Sequence, residues 1–564
     1  MKTKGILRIQ KLVGLMGLFG SVCLGQVDTI PSGEILYNGI ALPSEWPPRW
    51  SATTQEGRIR RVPYLEERPE VVPIDIGRQL FVDNFLIEGT NLKPTFHLPE
   101  YHPANPVLTI DKRWEKQGKA PFAAVFSDGV WYDPAEKLFK MWYMCGLFAG
   151  TAYAYSQDGL HWEKPSLDAA PGTNIIDRRH RDSNTVWLDG EETDPQRRWK
   201  MFTSTKRAGR SGWFLSVTGS ADGIHWSPPL AETPAIGDRS TVFYNPFRRK
   251  WVYSIRDSGP RGRSRRYREH EDVVAGAAWE KSDTYLWVHS DRLDPHNPNP
   301  AFEDIEPQLY NFDAAAYESL LIGLFAIWQG PNNSECNRRG YQKRNELLLG
   351  YSRDGFHWHR PDRRVFIGAT EKPGHWRWGN VQSAGGGCLV VGDKLYFYFC
   401  GRALCDAFWD GNGSTGVAVL RRDGFCSLDA GTKEGTVTTR CLRFGGKYLF
   451  VNVDCREGRC LVEVLDRAGK VIAPLSKEKC LPLSVDSTLQ QVSWQGAKDL
   501  SRLAGQPVRF KFYLRRGALY SFWVSPDRSG ASHGYVAAGG PGFTGGRDTA
   551  GRDAYEAAGK ISGP

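Results

Sequence analysis

Three aspartates follow one another at broadly regular intervals in the middle of the chain. Asp182 and Asp238 are 56 residues apart, and Asp313 follows 75 residues after Asp238. Carboxyl groups that converge at one site can divide acid–base work, because mutual repulsion keeps one protonated while another stays ionised. Such a set can protonate a leaving group and activate a water molecule. We therefore predict that the fold brings the three aspartates together.

Other residues are candidates for the same site. Glu115 and Glu346 are two further carboxylates that can join the aspartates. The candidates for binding a substrate are Arg181, Arg239, Arg256, Trp187, Asn380 and Gln382. No cysteine pair has zinc-finger spacing with partner histidines, and no glycine-rich phosphate loop follows a strand into a helix. We therefore predict neither a metal nor a cofactor.

A repeated octapeptide indicates the elements that position these side chains. Copies ending in Asp-Gly-x-His-Trp occupy residues 155–162, 219–226 and 351–358. The first interval is 64 residues and the second is 132, twice 66, which predicts one worn copy between them. The Asp and Gly are typical of tight turns, and each unit also carries hairpin signals. Repeated four-stranded units predict a β-propeller, here with five blades, and place the inner strands of all blades at one axis.

Composition supports an all-β protein. The chain of 564 residues has 20 Trp, 22 Tyr, 27 Phe, 61 Gly and 34 Pro, a mix that favours short strands and turns over helical bundles. Its 73 basic and 63 acidic residues do not form the basic surface typical of nucleic-acid binding. The predicted fold is a five-bladed β-propeller followed by a C-terminal β-sandwich. The predicted divisions are a signal peptide (1–25), a linker and lead-in (26–74), the propeller (75–425), the sandwich (426–528) and a flexible tail (529–564).

The N-terminus predicts export. Basic residues precede an apolar stretch from Leu12 to Leu24, and small residues precede a predicted cleavage site at Gln26. The predicted location is secreted or periplasmic, with no membrane span after cleavage; an uncleaved anchor is the alternative. An exported protein can hold disulfides, and Cys455, Cys460 and Cys480 are the expected partners of one. The other cysteines are expected to be small buried hydrophobic residues.

Several stretches carry a family resemblance. Residues 81–88, 181–189 and 380–387 resemble exported bacterial proteins of the glycoside hydrolase family 32/43 superfamily, which has five-bladed propellers. The resemblance implies a secreted glycoside hydrolase that acts on a plant or algal-type poly- or oligosaccharide. It gives Asp182 the role of transition-state stabiliser and Asp238 that of general acid. The first blade departs from the family pattern around Asp128, which argues against sucrose or fructan as the substrate.

Two other functions remain open. A carbohydrate-binding propeller without catalysis accounts for the departure in the first blade, and a sialidase-like enzyme accounts for part of the octapeptide. The expected partner is a carbohydrate and not a nucleic acid. Trp187, Tyr310, Trp328 and Trp376 are the aromatic side chains expected to stack on sugar rings. The basic run at 261–268 is interpreted as a solvated loop or as a site for an acidic sugar. The sequence does not indicate an oligomeric state.

Overall fold

The described part of the chain is predominantly β-structure. The computed structural model describes residues 33–50, 59–259, 261–403 and 411–561, so the predicted signal peptide lies outside the described residues. Short antiparallel strands dominate, and a one-turn helix, α1 (Pro63–Glu66), precedes them. Within these ranges no helix combines the length and the apolar character needed to cross a membrane.

Five short strands lie ahead of residue 102. They are β1 (Val71–Pro73), β2 (Gln79–Leu80), β3 (Ile87–Thr90), β4 (Lys93–Phe96) and β5 (Glu100–Tyr101). Each pairs with a strand that lies between residues 413 and 525. The predicted boundary at residue 75 therefore differs from the structure, because β1 to β4 complete sheets built from the last third of the chain.

Five antiparallel sheets of four or five strands make up the central region. Sheet 1 contains β6 (Ala123–Asp133), β7 (Leu138–Cys145), β8 (Thr151–Ser156) and β9 (Ile175–Asp177). Sheet 2 contains β10 (Arg181–Leu188), β11 (Trp199–Thr205), β12 (Phe214–Ser220) and β13 (Ala231–Glu232). Sheet 3 contains β14 (Thr241–Asn245), β15 (Lys250–Gly259), β16 (Gly262–His270) and β17 (Tyr285–His289). The basic run at 261–268 is therefore mostly strand, where a loop was expected.

The remaining two sheets of this region recruit strands from both ends of the chain. Sheet 4 contains β18 (Gln308–Glu318), β19 (Leu320–Gly330) and β20 (Arg344–Ser352), with the helix α2 (Asn333–Arg339) between the last two. Sheet 5 contains β21 (Gly379–Ser383), β22 (Leu389–Val391), β23 (Lys394–Arg402) and β24 (Gly413–Arg421), and β5 pairs with β24.

The first strands of these sheets contact one another in a ring. β6 packs against β10, β10 against β14, and β14 against β18. β21 contacts both sheet 4 and β6, so the fifth sheet returns to the first. At the centre, Asp313 of β18 accepts hydrogen bonds from Ser127 of β6 and Ser383 of β21. Residues far apart in sequence thus meet at one axis.

The octapeptides form turns between strands. The Asp158 side chain accepts hydrogen bonds from the backbone N–H groups two and three residues later, both at 2.8 Å. Asp222 and Asp354 make the same pair of bonds. The histidine of each copy lies against the same carboxylate. The prediction that these residues shape turns is confirmed.

Two six-stranded sheets share a second hydrophobic core. The strands of the last third are β25 (Cys426–Ala430), β26 (Gly435–Thr439), β27 (Cys441–Arg443), β28 (Tyr448–Asp454), β29 (Arg459–Asp466), β30 (Asp486–Gln491), β31 (Val508–Arg515) and β32 (Gly517–Ser525). β1, β3, β26, β27, β29 and β31 form sheet 6, and β2, β4, β25, β28, β30 and β32 form sheet 7. Alternate residues of β31 are buried. Phe512 of sheet 6 lies 5.4 Å from Phe522 of sheet 7, measured between ring centres.

The expected flexible tail is ordered as far as it is described. β33 (Tyr535–Val536) pairs with the end of β18, and the helix α3 (Arg552–Ile561) follows. The glycines of this segment permit close backbone packing: a Cβ atom at Gly540 would lie 1.8 Å from the Val390 carbonyl oxygen. Asp548 also pairs with the buried Arg422 at 2.7 Å. A glycine-rich composition here reflects tight packing, whereas we expected it to mean disorder.

The expected disulfide is not formed. Cys455, Cys460 and Cys480 are buried as thiols. Burial raises the pKa of the Cys480 thiol to about 11. These side chains therefore act as small core residues.

Candidate active site

Asp182 and Asp238 meet at the ends of neighbouring sheets. Asp182 is the second residue of β10, and Asp238 precedes β14 by three residues. The backbone carbonyl of Asp238 accepts hydrogen bonds from Ser183 of β10 (3.2 Å) and Ser204 of β11 (2.6 Å). These bonds fix the approach to sheet 3 against sheet 2. The predicted meeting of the two aspartates is thus present in the structure.

The two carboxyl groups lie in different surroundings. The Asp182 side chain is 10% exposed and its buried Oδ1 has no hydrogen-bond partner, whereas the Asp238 side chain is 37% exposed. Burial, and then the negative charge of Asp238, raise the pKa of Asp182 to about 7, against opposing effects of Arg239, Lys343 and Arg181. The Arg256 Nε lies 3.4 Å from Asp238 Oδ1. Asp182 can therefore hold a proton near neutral pH while Asp238 carries the charge beside a guanidinium group.

Arg239 joins four sheets beneath this pair. Its guanidinium is buried and lies 4.0 Å from Asp182 Oδ1. It donates hydrogen bonds to Ser127 Oγ at 3.2 Å and to Gln382 Oε1 at 3.3 Å, and it stacks on the Phe126 ring at 3.6 Å. Arg239 was expected to bind substrate. Its burial makes it a group that positions Asp182.

Arg181 is likewise buried and was also expected to bind substrate. Its guanidinium makes a two-pronged ion pair with Asp128 of β6, whose carboxylate also accepts from the Phe126 backbone N–H at 2.7 Å. Burial raises the pKa of Asp128 to about 6, although Arg181 acts in the opposite direction. β6 itself begins with Ala123 and Ala124. Sheet 1 therefore places the Asp128 carboxylate inside the ring, paired with Arg181.

Asp313 lies on the axis, and one oxygen of its carboxyl group, Oδ2, is bonded by three neighbours. It accepts hydrogen bonds from Ser383 Oγ (2.6 Å), Ser127 Oγ (2.9 Å) and Asn311 Nδ2 (2.9 Å). Burial raises its pKa, while these hydroxyl groups, Arg239 and other cations act against that rise. Asp313 is 4% exposed. Its Oδ2 thus holds three sheets together. That Asp313 joins the aspartate pair stays a prediction.

Glu115 and Glu346 are engaged in separate networks. Glu115 accepts from the backbone N–H groups of Asp111 and Lys112, from Tyr143 OH at 2.7 Å, and pairs with Lys164. Both of its oxygens are therefore used. Buried in this way, the side chain holds the loop before sheet 1.

The Glu346 carboxylate lies on β20, an outer strand of sheet 4. It pairs with Arg344 at 2.7 Å and accepts from Gln329 Nε2 and the Ala369 backbone N–H, both at 3.0 Å. Glu115 and Glu346 are therefore each bonded within a network of their own, and neither carboxylate is left free to complete the predicted acid cluster. The position of a residue in a sequence repeat does not show whether its carboxylate is already bonded.

The two predicted amide ligands are also internal. Asn380 and Gln382 are buried, and Gln382 Nε2 donates to Asn380 Oδ1 at 2.9 Å. Asn345 Nδ2 donates to the same oxygen at 2.6 Å. These amides connect sheets 4 and 5 to Arg239. Among the predicted binding residues Arg256 keeps a partly exposed side chain next to the aspartate pair.

Trp187 lies at the wrong end of its strand for the predicted role. It is five residues beyond Asp182 on β10, which corresponds to about 16 Å at roughly 3.3 Å per residue. Its ring packs on Trp131 at 4.8 Å between centres. Both rings line a cavity among the ends of the first strands and residues 535–549.

Aromatic rings that were not among the predicted site residues lie next to the aspartate pair. His180 immediately precedes Arg181, and its ring lies between Phe148 (6.1 Å) and Trp213 (5.8 Å). Lys119 and Lys206 lie over the outer rings. We call Phe148, His180 and Trp213 the aromatic row. The position of His180 beside the Arg-Asp pair was the available sequence signal.

Cations from sheets 3 and 4 complete the surroundings. Lys343 donates to Tyr310 OH at 3.1 Å and acts on the Asp182 carboxyl. Arg263 lies over the rings of Tyr310 (5.4 Å) and Trp328 (4.7 Å). Arg265, also from the basic run, is buried and donates to the backbone carbonyls of neighbouring strands. The basic run at 261–268 is thus not a solvated loop, and its buried Arg265 does not face a ligand.

Comparisons with known proteins give likeness in structure only. No protein-family model matches the chain, and no curated protein does. The solved structures include a thermostable family-43 glycoside hydrolase (11% identity, 55% of this chain, 94% of that chain, TM-score 0.35). They also include an endo-arabinase from Bacteroides thetaiotaomicron (10%, 58%, 97%, TM-score 0.36). A third is a fructofuranosidase variant from Schwanniomyces occidentalis complexed with fructosylnystose (10%, 76%, 98%, TM-score 0.35).

These structures are glycosidases of the class that the sequence resemblance indicated. Their low identities and TM-scores extend no substrate or residue role to this chain. The function therefore has to be inferred from the side chains of the site itself.

Proposed function

We propose that sheets 1 to 5 are the blades of a five-bladed β-propeller and that sheets 6 and 7 form a β-sandwich against it. The contacts that return from β21 to β6 support a closed ring. The shared core of Phe512 and Phe522 supports a two-sheet sandwich. In this arrangement β1 to β4 belong to the sandwich although they precede the propeller in sequence.

We propose that the protein is a glycoside hydrolase whose working pair is Asp182 and Asp238. The observation that carries this is the pair itself: a buried carboxyl with a pKa of about 7 next to a partly exposed carboxylate beside Arg256. Glycoside cleavage needs one carboxylic acid to protonate the leaving oxygen and one carboxylate to attack or to activate water. We assign the proton to Asp182 and the charge to Asp238, which makes Asp182 the general acid in place of Asp238, the acid that the resemblance implied.

The substrate proposed is a plant or algal-type poly- or oligosaccharide. The aromatic row offers ring faces for sugar stacking, and polar side chains of Arg256 and Lys343 flank the pair. Hydrolysis of such polymers fits the export that residues 1–25 predict, so we propose a secreted or periplasmic location. No cofactor is required by this chemistry.

The test is hydrolysis by purified protein on arabinan, xylan, pectin and laminarin, followed by reducing-sugar detection. Asp182→Asn and Asp238→Asn are each expected to lower the rate by about 10²–10⁴-fold, because each removes a proton-transfer group. Asp257→Asn is the matched control, since Asp257 is a partly exposed aspartate on β15 with a similar arginine neighbour. Full activity of both variants on a verified substrate would sink the assignment.

A second candidate is a carbohydrate-binding propeller without turnover. It is favoured by one observation: the Asp128 carboxylate of β6 is buried against Arg181. Saccharide binding by the native chain with no product on any polymer, and unchanged binding by Asp182→Asn, would support this alternative.

A further inference from the structure

A second concave site lies at the end of the ring away from the aspartate pair. Its cavity has a volume of about 460 Å³. The walls come from the final residues of β6, β10 and β14 and from the tail segment around β33. Small-molecule sites commonly occupy roughly 300–1,000 Å³ and combine aromatic walls with a few polar groups. The size of this cavity lies within that range.

Aromatic rings form much of its wall. Trp131 and Trp187 meet at 4.8 Å with their planes inclined by 67°. Trp131 Nε1 donates to the Val186 carbonyl at 2.8 Å, which fixes its ring. Tyr244 and Tyr535 contribute from sheet 3 and from the tail. The cavity therefore presents fixed aromatic surface to a ligand that has apolar ring faces.

The cavity lining carries as many negative as positive side chains. Its described lining holds two carboxylates, Asp189 and Glu191, and two guanidinium groups, Arg198 and Arg547. Asp189 pairs with Lys200 at 2.7 Å and Arg198 pairs with Asp133, and both of these partners lie outside the lining. Arg547 donates to the Tyr535 hydroxyl at 2.6 Å. A strongly charged ligand would meet groups of both signs. Hydroxyl groups, by contrast, can donate to the carboxylates and accept from the arginines.

We propose that this cavity binds a neutral saccharide unit. Sugar rings combine apolar faces with hydroxyl edges, which are the two features that the walls and the charged groups address. Binding here does not depend on hydrolysis at the other end of the ring. In the full chain it provides a second attachment point for a carbohydrate polymer.

The experiment uses the full chain carrying both Asp182→Asn and Asp238→Asn, so that no probe is consumed. Arabino-, xylo- and cello-oligosaccharides serve as neutral probes and oligogalacturonate as the anionic probe, with affinity measured by calorimetry. We expect at least one neutral probe to bind and to weaken about tenfold or more on Arg547→Ala and on Tyr244→Ala. Arg547 is exposed, so its removal leaves the core intact.

Arg528→Ala is the matched control. Arg528 is also an exposed arginine over a tyrosine ring, 5.6 Å from Tyr448, but it lies outside the cavity. Trp213→Ala removes part of the aromatic row. A probe whose affinity falls in this variant binds at the aspartate pair and not in the cavity. The proposal is overturned if no neutral probe binds at millimolar concentration, if neutral binding is unaffected by Arg547→Ala and Tyr244→Ala, or if those variants weaken oligogalacturonate alone.

Discussion

The charge of Asp238 helps to hold the proton on Asp182, so Asp238→Asn should lower the pKa of Asp182. Burial is the larger cause of the raised value and remains in the variant. At an effective dielectric constant of about 20, two unit charges within roughly 12 Å of each other repel by about 1.4 kcal/mol or more, which equals about 1 pKa unit or more. Since the Asp238 side chain is 37% exposed, water screens part of this repulsion. We expect the pKa of Asp182 to fall from about 7 by about 1 unit.

The assay is a carbon-13 NMR titration of the aspartate carboxyl groups, with the Asp182 signal assigned by its loss in Asp182→Asn. Asp257→Asn serves as the control, because Asp257 is not among the groups that raise or lower the pKa of Asp182. The pKa of Asp182 should therefore be the same in Asp257→Asn as in the native chain. An unchanged or higher Asp182 pKa in Asp238→Asn would refute the electrostatic coupling of the pair and, with it, the proposed division of roles.

Three further outcomes are expected. Because the folded-state pKa of Asp182 is raised to about 7, ionisation of Asp182 lowers the stability of the fold as pH rises from about 4 to about 7. Asp182→Asn should therefore have a higher melting temperature than the native chain at pH 8 but not at pH 4. Equal melting temperatures at pH 8 would contradict this. Arg181→Ala leaves Asp128 buried without its ion-pair partner, so urea unfolding should show a loss of about 3–5 kcal/mol, whereas a loss as small as that of Arg528→Ala would count against it. Trp213→Ala should raise KM with little change in kcat on any substrate found, and an unchanged KM would remove the aromatic row from substrate binding.

Local signals in the sequence predicted local structure well. The octapeptides predicted turns, and Asp158, Asp222 and Asp354 make the bonds of those turns. Pairings between the two ends of the chain had no such signal. β1 to β4 carry no repeat, and their partners lie more than 300 residues away. The glycines after residue 529 suggested disorder, but close packing against sheets 4 and 5 also requires glycine.

The site was predictable where strand position decides the outcome. The spacing of the repeated units predicted that Asp182 and Asp238 meet, because both lie at or just before the start of the first strand of a sheet. Spacing did not predict bonding partners, so Glu115 and Glu346 were chosen although each is already bonded. The prediction that Trp187 binds substrate beside Asp182 was wrong, because each residue along a strand lies about 3.3 Å further from its start. The depth of burial that gives Asp182 its pKa is a property of the assembled ring.

The pairing of β1 to β4 with late strands has a consequence for biosynthesis. About 330 residues separate β4 from its partner β25. At a synthesis rate of about 5–20 residues per second, β4 waits roughly 16–66 seconds before that partner exists. Sheets 1 to 3 are complete in sequence by then, whereas sheets 6 and 7 cannot close. Contacts of such large separation also slow folding. The nascent chain therefore carries its first strands unpaired through most of translation, and these are the segments that a holding chaperone would have to cover.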